Sequence, residues 1–307
     1  RATSGVPARD ERRARARPAS CDAPPMELDR RQRAQVAIMK PLARALLGAP
    51  AVRRHFLARH RQELDAGLDP DLVVLAAIDR KTGDSQVWHH GPREARRRMC
   101  TSVGIADDPG AALPVTVTPS RVRGAIGPLP ARVYRPRDLP TPAPTLVFFH
   151  GGGFVFGSVP EYDTVCGQLA QLTGARVFSL EYRRAPEVKY PTPHRDAYTT
   201  YQWLLTHRFA LHLTKIAVCG DSAGGNLSAS VCLYARDHGI ELPALQMLWY
   251  PMTHGDREFP SRVQFGNDYY ITLDDMAWIS GHLFSDRDHA EDTYFAPGLC
   301  ADLSGLP

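Results

Sequence analysis

The sequence has no pair of cysteines at a spacing that holds a metal ion or marks a redox site. Its six cysteines are scattered, without a Cys-x-x-Cys pair: Cys21, Cys100, Cys166, Cys219, Cys232 and Cys300. Scattered thiols are typical of a reducing compartment, so we expect a cytoplasmic protein. A chain of this length buries about three quarters of its unfolded surface, so it needs no disulfide to hold a core.

Long apolar runs are absent as well. Residues 141–160 carry no formal charge, but they include His150, four glycines and several prolines, which a lipid-spanning helix does not tolerate. The first 25 residues also lack the apolar centre of a secretory signal. The sequence therefore predicts no integral membrane segment.

Net charge is low outside the first 25 residues. Residues 1–25 carry six arginines against three acidic residues, and the other 282 residues share a net charge of only +1. We interpret residues 1–25 as a disordered leader rich in Arg, Ala and Pro. Because this leader lacks the aromatic and glycine content of RNA-binding tails, we predict no nucleic-acid partner.

Two patterns of apolar residues divide the remaining chain. Across 27–64 they recur at helical spacing, with breaks predicted at Pro41 and at 48–50, and further short helices are predicted at 71–78 and 92–100. Beyond residue 113, two short strands are predicted first, at 115–118 and 131–134. Apolar runs then alternate with amphipathic helices, the runs at 145–150, 175–182, 215–220 and 244–250 and the helices at 161–172, 196–207 and 224–237. This alternation predicts an α/β fold, with a mostly parallel sheet covered by helices on both faces. Ligands bind at the carboxyl ends of such strands.

A serine motif follows one of these runs. The segment Gly220-Asp221-Ser222-Ala223-Gly224 has the pattern Gly-x-Ser-x-Gly, directly after a run and directly before a helix. Small flanking residues permit a tight turn that exposes the Ser222 hydroxyl, and the helix N-terminus favours developing negative charge. A glycine-rich turn with a capping serine is the alternative interpretation.

A glycine triplet follows an earlier run. In the segment His150-Gly151-Gly152-Gly153-Phe154, three successive glycines let backbone N–H groups turn toward a ligand. An oxyanion hole requires such donors, about 3 Å from the developing charge. A phosphate-binding loop would end in Gly-Lys-Ser/Thr, which is missing here.

These two motifs, together with the segment Tyr182-Arg183-Arg184-Ala185-Pro186-Glu187, resemble those of the hormone-sensitive-lipase-like family of α/β-hydrolase carboxylesterases. Arg184 stands where the family usually has Leu. The resemblance runs from about Leu113 onward, and more faintly through the N-terminal helices, which match the family's cap. It implies a helical cap at 26–112, completed by helices at about 261–290, and a catalytic domain at 113–307.

The resemblance also implies site residues and chemistry. Ser222 is the expected nucleophile, and the N–H groups of Gly152, Gly153 and Ala223 form the expected oxyanion hole. His150, Gly151, Gly220, Asp221 and Gly224 complete the two motifs. Family members hydrolyse carboxylic esters through an acyl-enzyme without a metal or cofactor. The carboxylates Asp221, Glu187 and Asp196 are expected to be structural.

The family's catalytic acid and histidine lie beyond the position of Pro307. Of the four histidines after Ser222, only His254 is predicted to lie near a strand end, and a surface role is the default for it. We therefore expect this chain to be a fragment of a complete esterase, with little turnover by itself. The alternative is a pseudo-hydrolase that binds a small molecule without cleaving it.

Residues 154–156, which are Phe, Val and Phe, predict an apolar pocket for short to medium acyl chains. The expected partner is thus a small-molecule ester, and a homodimer stays open.

Overall fold

The structure is a computed structural model that describes residues 28–65, 67–82, 89–106, 114–255, 257–267 and 271–307. The predicted leader at 1–25 lies outside the described residues, as does Cys21. None of the described helices has the length and apolar content needed to cross a bilayer.

Helices make up the described part of the N-terminal region. They are α1 (Arg30–Gly48), α2 (Pro50–Leu57), α3 (Arg61–Asp65), α4 (Pro70–Thr82) and α5 (Pro92–Ala106). The break predicted at Pro41 is wrong, because α1 continues through this exposed proline and ends only at Gly48. Helix α1 packs against α5, and Gln32 donates hydrogen bonds to Thr101 Oγ1 at 2.7 Å and to the Arg97 carbonyl at 2.8 Å.

Six strands form one sheet in the described part of the chain. They are β1 (Val115–Gly124), β2 (Gly127–Pro136), β3 (Ala143–Phe149), β4 (Arg176–Leu180), β5 (Leu213–Asp221) and β6 (Gln246–Trp249). The order is β1-β2-β4-β3-β5-β6, with β3, β4, β5 and β6 parallel and the β1–β2 hairpin antiparallel at one side. The mostly parallel sheet agrees with the prediction. Both hairpin strands are longer than the four residues predicted for each, because their ladder continues to the turn at Gly124 and Gly127.

Five further helices follow the hairpin: α6 (Asp163–Thr173), α7 (Thr192–Thr206), α8 (Ala223–Asp237), α9 (Pro260–Phe265) and α10 (Leu273–Leu283). Short 3-10 helices lie at Val159–Tyr162, Arg287–Glu291 and Pro297–Leu299.

Successive residues of β3 enter two separate cores. Leu146 and Phe148 pack in a cluster with Leu169 of α6, whereas Val147 and Phe149 pack in the larger cluster with side chains of α7 and α8. Adjacent residues of a strand point to opposite faces, so a strand that is apolar at every position is buried on both sides. This explains why β3 appears in the sequence as a continuous apolar run.

The strand order places a crevice at the carboxyl ends of β3 and β5. The chain passes from β3 to β4 on one side, and then crosses back to place β5 on the other side of β3. Neighbouring strands whose connections run in opposite directions leave a crevice where α/β proteins bind ligands. His150 follows β3 and Ser222 follows β5, so both motifs lie at this crevice.

Candidate active site

Ser222 occupies a sharp turn between β5, which ends at Asp221, and α8, which begins at Ala223. Its backbone has φ 52° and ψ −113°, a conformation that is unusual for a residue with a side chain. Two backbone hydrogen bonds hold it, from Ser222 N–H to the Trp249 carbonyl at 2.9 Å and from Asn226 N–H to the Ser222 carbonyl at 2.9 Å. The side chain is half-buried, so its hydroxyl can be reached from solvent.

Strand register brings the two motifs together across 70 residues of sequence. Phe149 of β3 pairs with Gly220 of β5, so Gly151 comes to lie beside Asp221. The Gly151 N–H donates to Asp221 Oδ1 at 2.8 Å, and the Tyr162 hydroxyl donates to Asp221 Oδ2 at 2.9 Å. Burial raises the pKa of Asp221, while these two donors act in the opposite direction. Asp221 thus joins the turn at Ser222 to the glycine loop, which comprises residues 150–156.

The glycine loop turns back on itself just after β3. Gly152 has φ 111° and Gly153 has φ 58°, and the N–H groups of Val155 and Phe156 both donate to the Gly152 carbonyl, at 3.0 and 2.7 Å. A φ of 111° strains a residue with a side chain, and a Cβ atom on Gly152 would also lie 2.6 Å from the Phe156 carbonyl oxygen. Within the described residues, the N–H groups of Gly152 and Gly153 have no hydrogen-bond acceptor, and neither does that of Ala223.

Known proteins resemble this chain in sequence and in fold. Residues 146–307 match the family described as α/β-hydrolase fold. The chain is 33% identical to the carboxylic ester hydrolase LipN of Mycobacterium tuberculosis, over 90% of this chain and 75% of LipN. It is 36% identical to the esterase LipI of the same organism, over 61% of this chain, and spans 60% of the length of LipI. A solved esterase from Pyrobaculum calidifontis superposes with a TM-score of 0.67 at 40% identity, covering 72% of this chain and 73% of that one.

The chain belongs to the hormone-sensitive-lipase-like carboxylesterases of the α/β-hydrolase fold. It is a carboxylesterase-like hydrolase by this membership, and the resemblance drawn from its motifs is confirmed.

The histidine of the family motif is a structural residue in this hydrolase. His150 is fully buried, stacks on Tyr182 at 4.3 Å between ring centroids, and donates from Nδ1 to the Gly151 carbonyl at 2.9 Å. Burial lowers the pKa of His150 to about 3, so the ring is neutral near pH 7. The Tyr182 hydroxyl donates to the His150 carbonyl at 2.7 Å. The buried His150 ring therefore supports the glycine loop from inside the core.

Two further carboxylates hold loops around the site. Asp196 is completely buried and accepts the Ala125 N–H at 2.8 Å, and its ion pair with Arg183 is 2.5 Å long. Glu187 pairs with Arg96 of α5 at 2.7 Å, and this pairing lowers the pKa of Glu187. These contacts agree with the structural roles expected for Asp196, Glu187 and Asp221.

Helix α10 lies over the glycine loop. Trp278 stacks on Phe156 with ring centroids 5.5 Å apart and planes 9° apart. A Cβ atom built on Gly153 would lie 2.7 Å from Ile279 Cδ1, so Ile279 contacts this glycine directly. Helices were predicted at about 261–290, and α9 and α10 form there.

The aromatic residues after the glycines do not face an open pocket, which corrects the interpretation of residues 154–156. Phe154 and Val155 are completely buried, and Phe156 is 3% exposed. The Phe154 ring packs against His194 and Phe295, at 5.3 and 5.8 Å. These side chains anchor the loop in the core because a tight turn at Gly152 points them inward.

Within the described part of the chain, no histidine hydrogen-bonds to the Ser222 hydroxyl. His254, the candidate from sequence, bonds through Nδ1 to Thr253 Oγ1 at 2.8 Å and packs edge-on against Phe259. His238 and His282 bond to carbonyls one helical turn earlier, at 2.9 and 2.8 Å, and His289 contacts the Tyr190 ring.

A buried polar pair that includes Asn226, one turn after Ser222, was not predicted from the sequence. His194 Nε2 lies 2.9 Å from Asn226 Oδ1, and the Asn226 amide donates to the carbonyls of Met252 and Phe295, at 2.6 and 2.5 Å. Asn226 thereby ties two loops to α8, one turn after the serine. The signal in the sequence was Asn226, two residues after the serine motif, and only the fold reveals its role.

Proposed function

We propose that this protein hydrolyses carboxylic esters through an acyl-enzyme formed on Ser222. The observation that carries the proposal is the Ser222 turn, whose hydroxyl is reachable and whose neighbourhood holds three N–H groups without an acceptor among the described residues. Such donors are useful where negative charge develops during a reaction.

In the proposed reaction, Ser222 Oγ attacks the ester carbonyl carbon and gives its proton to a base. The carbonyl oxygen becomes an oxyanion, which the N–H groups of Gly152, Gly153 and Ala223 stabilise. Collapse of the tetrahedral intermediate breaks the bond to the alkoxy group, which leaves as the alcohol after taking up the proton. Water then attacks the acyl-Ser222 ester by the same route and releases the carboxylic acid. We assign the base to none of the described histidines.

The test is covalent labelling of the protein expressed from its complete open reading frame. In the expected result a fluorophosphonate probe modifies Ser222, with fluoride as leaving group, and peptide mass analysis locates the adduct. Ser222→Ala should lose both the adduct and the hydrolysis of p-nitrophenyl butyrate.

Ser228→Ala is the matched control, because Ser228 lies on α8, the helix that follows Ser222, but its hydroxyl donates to the Gly224 carbonyl at 2.9 Å inside the core. This variant should keep the label. An adduct on another residue, or turnover that survives Ser222→Ala, would overturn the assignment of the nucleophile.

We further propose a preference for short to medium acyl chains. The contact between Ile279 and Gly153, with Trp278 stacked beside it, restricts the space next to the glycine loop. A series of p-nitrophenyl esters should show a higher kcat/KM for butyrate than for palmitate. A preference for palmitate would refute this proposal.

Binding without hydrolysis is the second candidate function. The observation in its favour is that Ser222 Oγ has no histidine partner among the described residues. A protein that takes up a small ligand at this site yet fails to turn over esters would support it. Cytoplasmic location stays a prediction from the sequence, which leaves homodimer formation open.

A further inference from the structure

One arginine of α5 contacts the glycine loop from the cap side. Arg96 Nε donates to the Val155 carbonyl at 2.7 Å, and Nη2 donates to the Ala185 carbonyl at 2.5 Å. Both Nη atoms also donate to the Glu187 carboxylate, each at 2.7 Å. A single guanidinium thus binds the glycine loop, the segment after β4 and a carboxylate at once.

The position of the Val155 carbonyl matters for the loop. The turn over residues 152–156 is closed by two hydrogen bonds to the Gly152 carbonyl, from Val155 and Phe156. On its other side, the Ala185 N–H donates to the Phe154 carbonyl at 2.8 Å. Arg96 holds both the next carbonyl of the loop, at Val155, and the carbonyl of the same Ala185. The guanidinium therefore fixes the loop against the segment that supports it.

Partial burial and a paired charge strengthen the hydrogen bonds that Arg96 donates. Its side chain is only 15% exposed, and the neighbouring Ala95 is completely buried in the larger core cluster. Hydrogen bonds from a charged donor are about twice as strong as neutral ones, and partial burial limits competition from water. Glu187 balances the charge, so the guanidinium is not left unpaired beside the carbonyls.

We propose that Arg96 is a positioning residue that sets the orientation of the Gly152 and Gly153 N–H groups through its hydrogen bond to the Val155 carbonyl. The inference rests on the proposed function, because these N–H groups matter only if they stabilise an oxyanion. It also assigns a task to the N-terminal helices, since the position of α5 determines the geometry of the glycine loop.

The proposal predicts a particular kinetic pattern. Misplaced N–H groups stabilise the transition state less, while the binding of the ester changes little. The value of kcat should therefore fall while KM stays nearly the same. Loss of one oxyanion donor costs about 10²–10³ in kcat, and a donor that is misplaced but still present should cost about 10- to 100-fold.

The experiment compares Arg96→Ala with Arg97→Ala in the protein expressed from its complete open reading frame. Arg97 is the matched control, because it is the next residue of α5 and its guanidinium pairs with Glu94 and Asp29 rather than with the loop. Arg96→Ala should lower kcat for p-nitrophenyl butyrate by the factor given above, and Arg97→Ala should not. Guanidinium ions at a non-denaturing concentration should partly restore kcat in Arg96→Ala only. Equal losses in both variants, or a rise in KM alone, would overturn the proposal.

A second measurement does not depend on turnover. Hydrogen exchange of the Val155 and Phe156 amides should be faster in Arg96→Ala than in the parent, and unchanged in Arg97→Ala. Glu187→Gln removes the ion pair but keeps the contact between Arg96 and Val155. The exchange rates of the Val155 and Phe156 amides in this variant should therefore lie between those of the parent and those of Arg96→Ala. If Ser222→Ala leaves hydrolysis unaffected, the proposed function fails whatever the exchange shows. If exchange at Val155 and Phe156 is the same in Arg96→Ala and parent, the positioning role fails by itself.

Discussion

Asp221, beside the proposed nucleophile, shows how one residue joins distant segments. Its two carboxylate oxygens accept from the Gly151 N–H and the Tyr162 hydroxyl, and Tyr162 follows the glycine loop on a short 3-10 helix. A carboxylate suits this position because it offers only acceptors to two converging donors. The variable second position of the serine motif is therefore constrained by its neighbours.

Asp221→Asn should destabilise the protein by about 1–3 kcal/mol. The amide has the same volume as the carboxylate, but its NH2 group would face either the Gly151 N–H or the Tyr162 hydroxyl, both of which donate hydrogen bonds to Asp221. Urea unfolding measures the loss. Tyr162→Phe removes a single hydroxyl and is the comparison, with a smaller expected loss. Equal stability of Asp221→Asn and parent would show that the two hydrogen bonds contribute nothing net.

At the scale of elements, the first turn of α8 lies directly against the end of β3. A Cβ atom on Gly224 would lie 1.8 Å from the Phe149 carbonyl oxygen, and backbone atoms cannot move aside as a flexible side chain does. The close approach brings the helix N-terminus to the strand end where His150 begins the glycine loop. The glycine is required by this contact between helix and strand.

Gly224→Ala should cost about 1–3 kcal/mol or more, because the added methyl forces α8 away from β3. Thermal or urea unfolding measures the loss, and fluorophosphonate labelling of Ser222 should slow with it.

Gly281→Ala is the control for this prediction. Gly281 lies inside α10 with no atom within 4 Å of an added Cβ, so alanine should stabilise the helix by about 0.5–1 kcal/mol. If both alanine variants change stability in the same direction, the close contact at Gly224 is not the cause.

At the scale of the whole molecule, two buried histidines are neutral near pH 7. Burial lowers the pKa of His150 to about 3 and that of His194 to about 4, from an ordinary value of 6.5. Both rings are completely buried, and each has one ring nitrogen without a partner among the described residues. Protonation is therefore resisted in the folded state and allowed in the unfolded one.

Acid should destabilise the fold through these two rings. As pH falls below about 6.5, the two histidines become protonated in the unfolded chain but stay neutral in the folded chain. The free energy of unfolding therefore decreases by about 1.4 kcal/mol per pH unit for each histidine. The decrease ends as pH passes the folded pKa values of about 4 and about 3. Urea unfolding at a series of pH values measures this slope.

His194→Gln isolates one of the two contributions, because Gln can still donate to Asn226 Oδ1. Between pH 6 and pH 4, the variant should take up about one proton fewer on unfolding than the parent. The slope of its unfolding free energy against pH should therefore be shallower. The same substitution at the exposed His207 controls for removing a surface imidazole. A parent-like slope in His194→Gln would refute the assignment.

Local sequence patterns were sufficient for most elements of the α/β region. Apolar runs and helical spacing located β3 to β6 and α6 to α8 within a few residues, because both signals depend on which face of an element is buried. The same patterns failed at Pro41, where α1 continues through the proline although one backbone hydrogen bond of the helix is lost. They also failed at β1 and β2, whose length depends on cross-strand pairing that no local pattern contains.

The sequence by itself determined the family and the chemistry expected at Ser222, because the residue types and spacings of two motifs carry that information. Only the tertiary structure decided what holds the site in shape: the register of β3 against β5, the Asp221 bridge, and the Arg96 contact from a helix 59 residues before the loop. The reason is physical. Hydrogen bonds between segments distant in sequence depend on how the elements pack, and packing is a property of the whole chain.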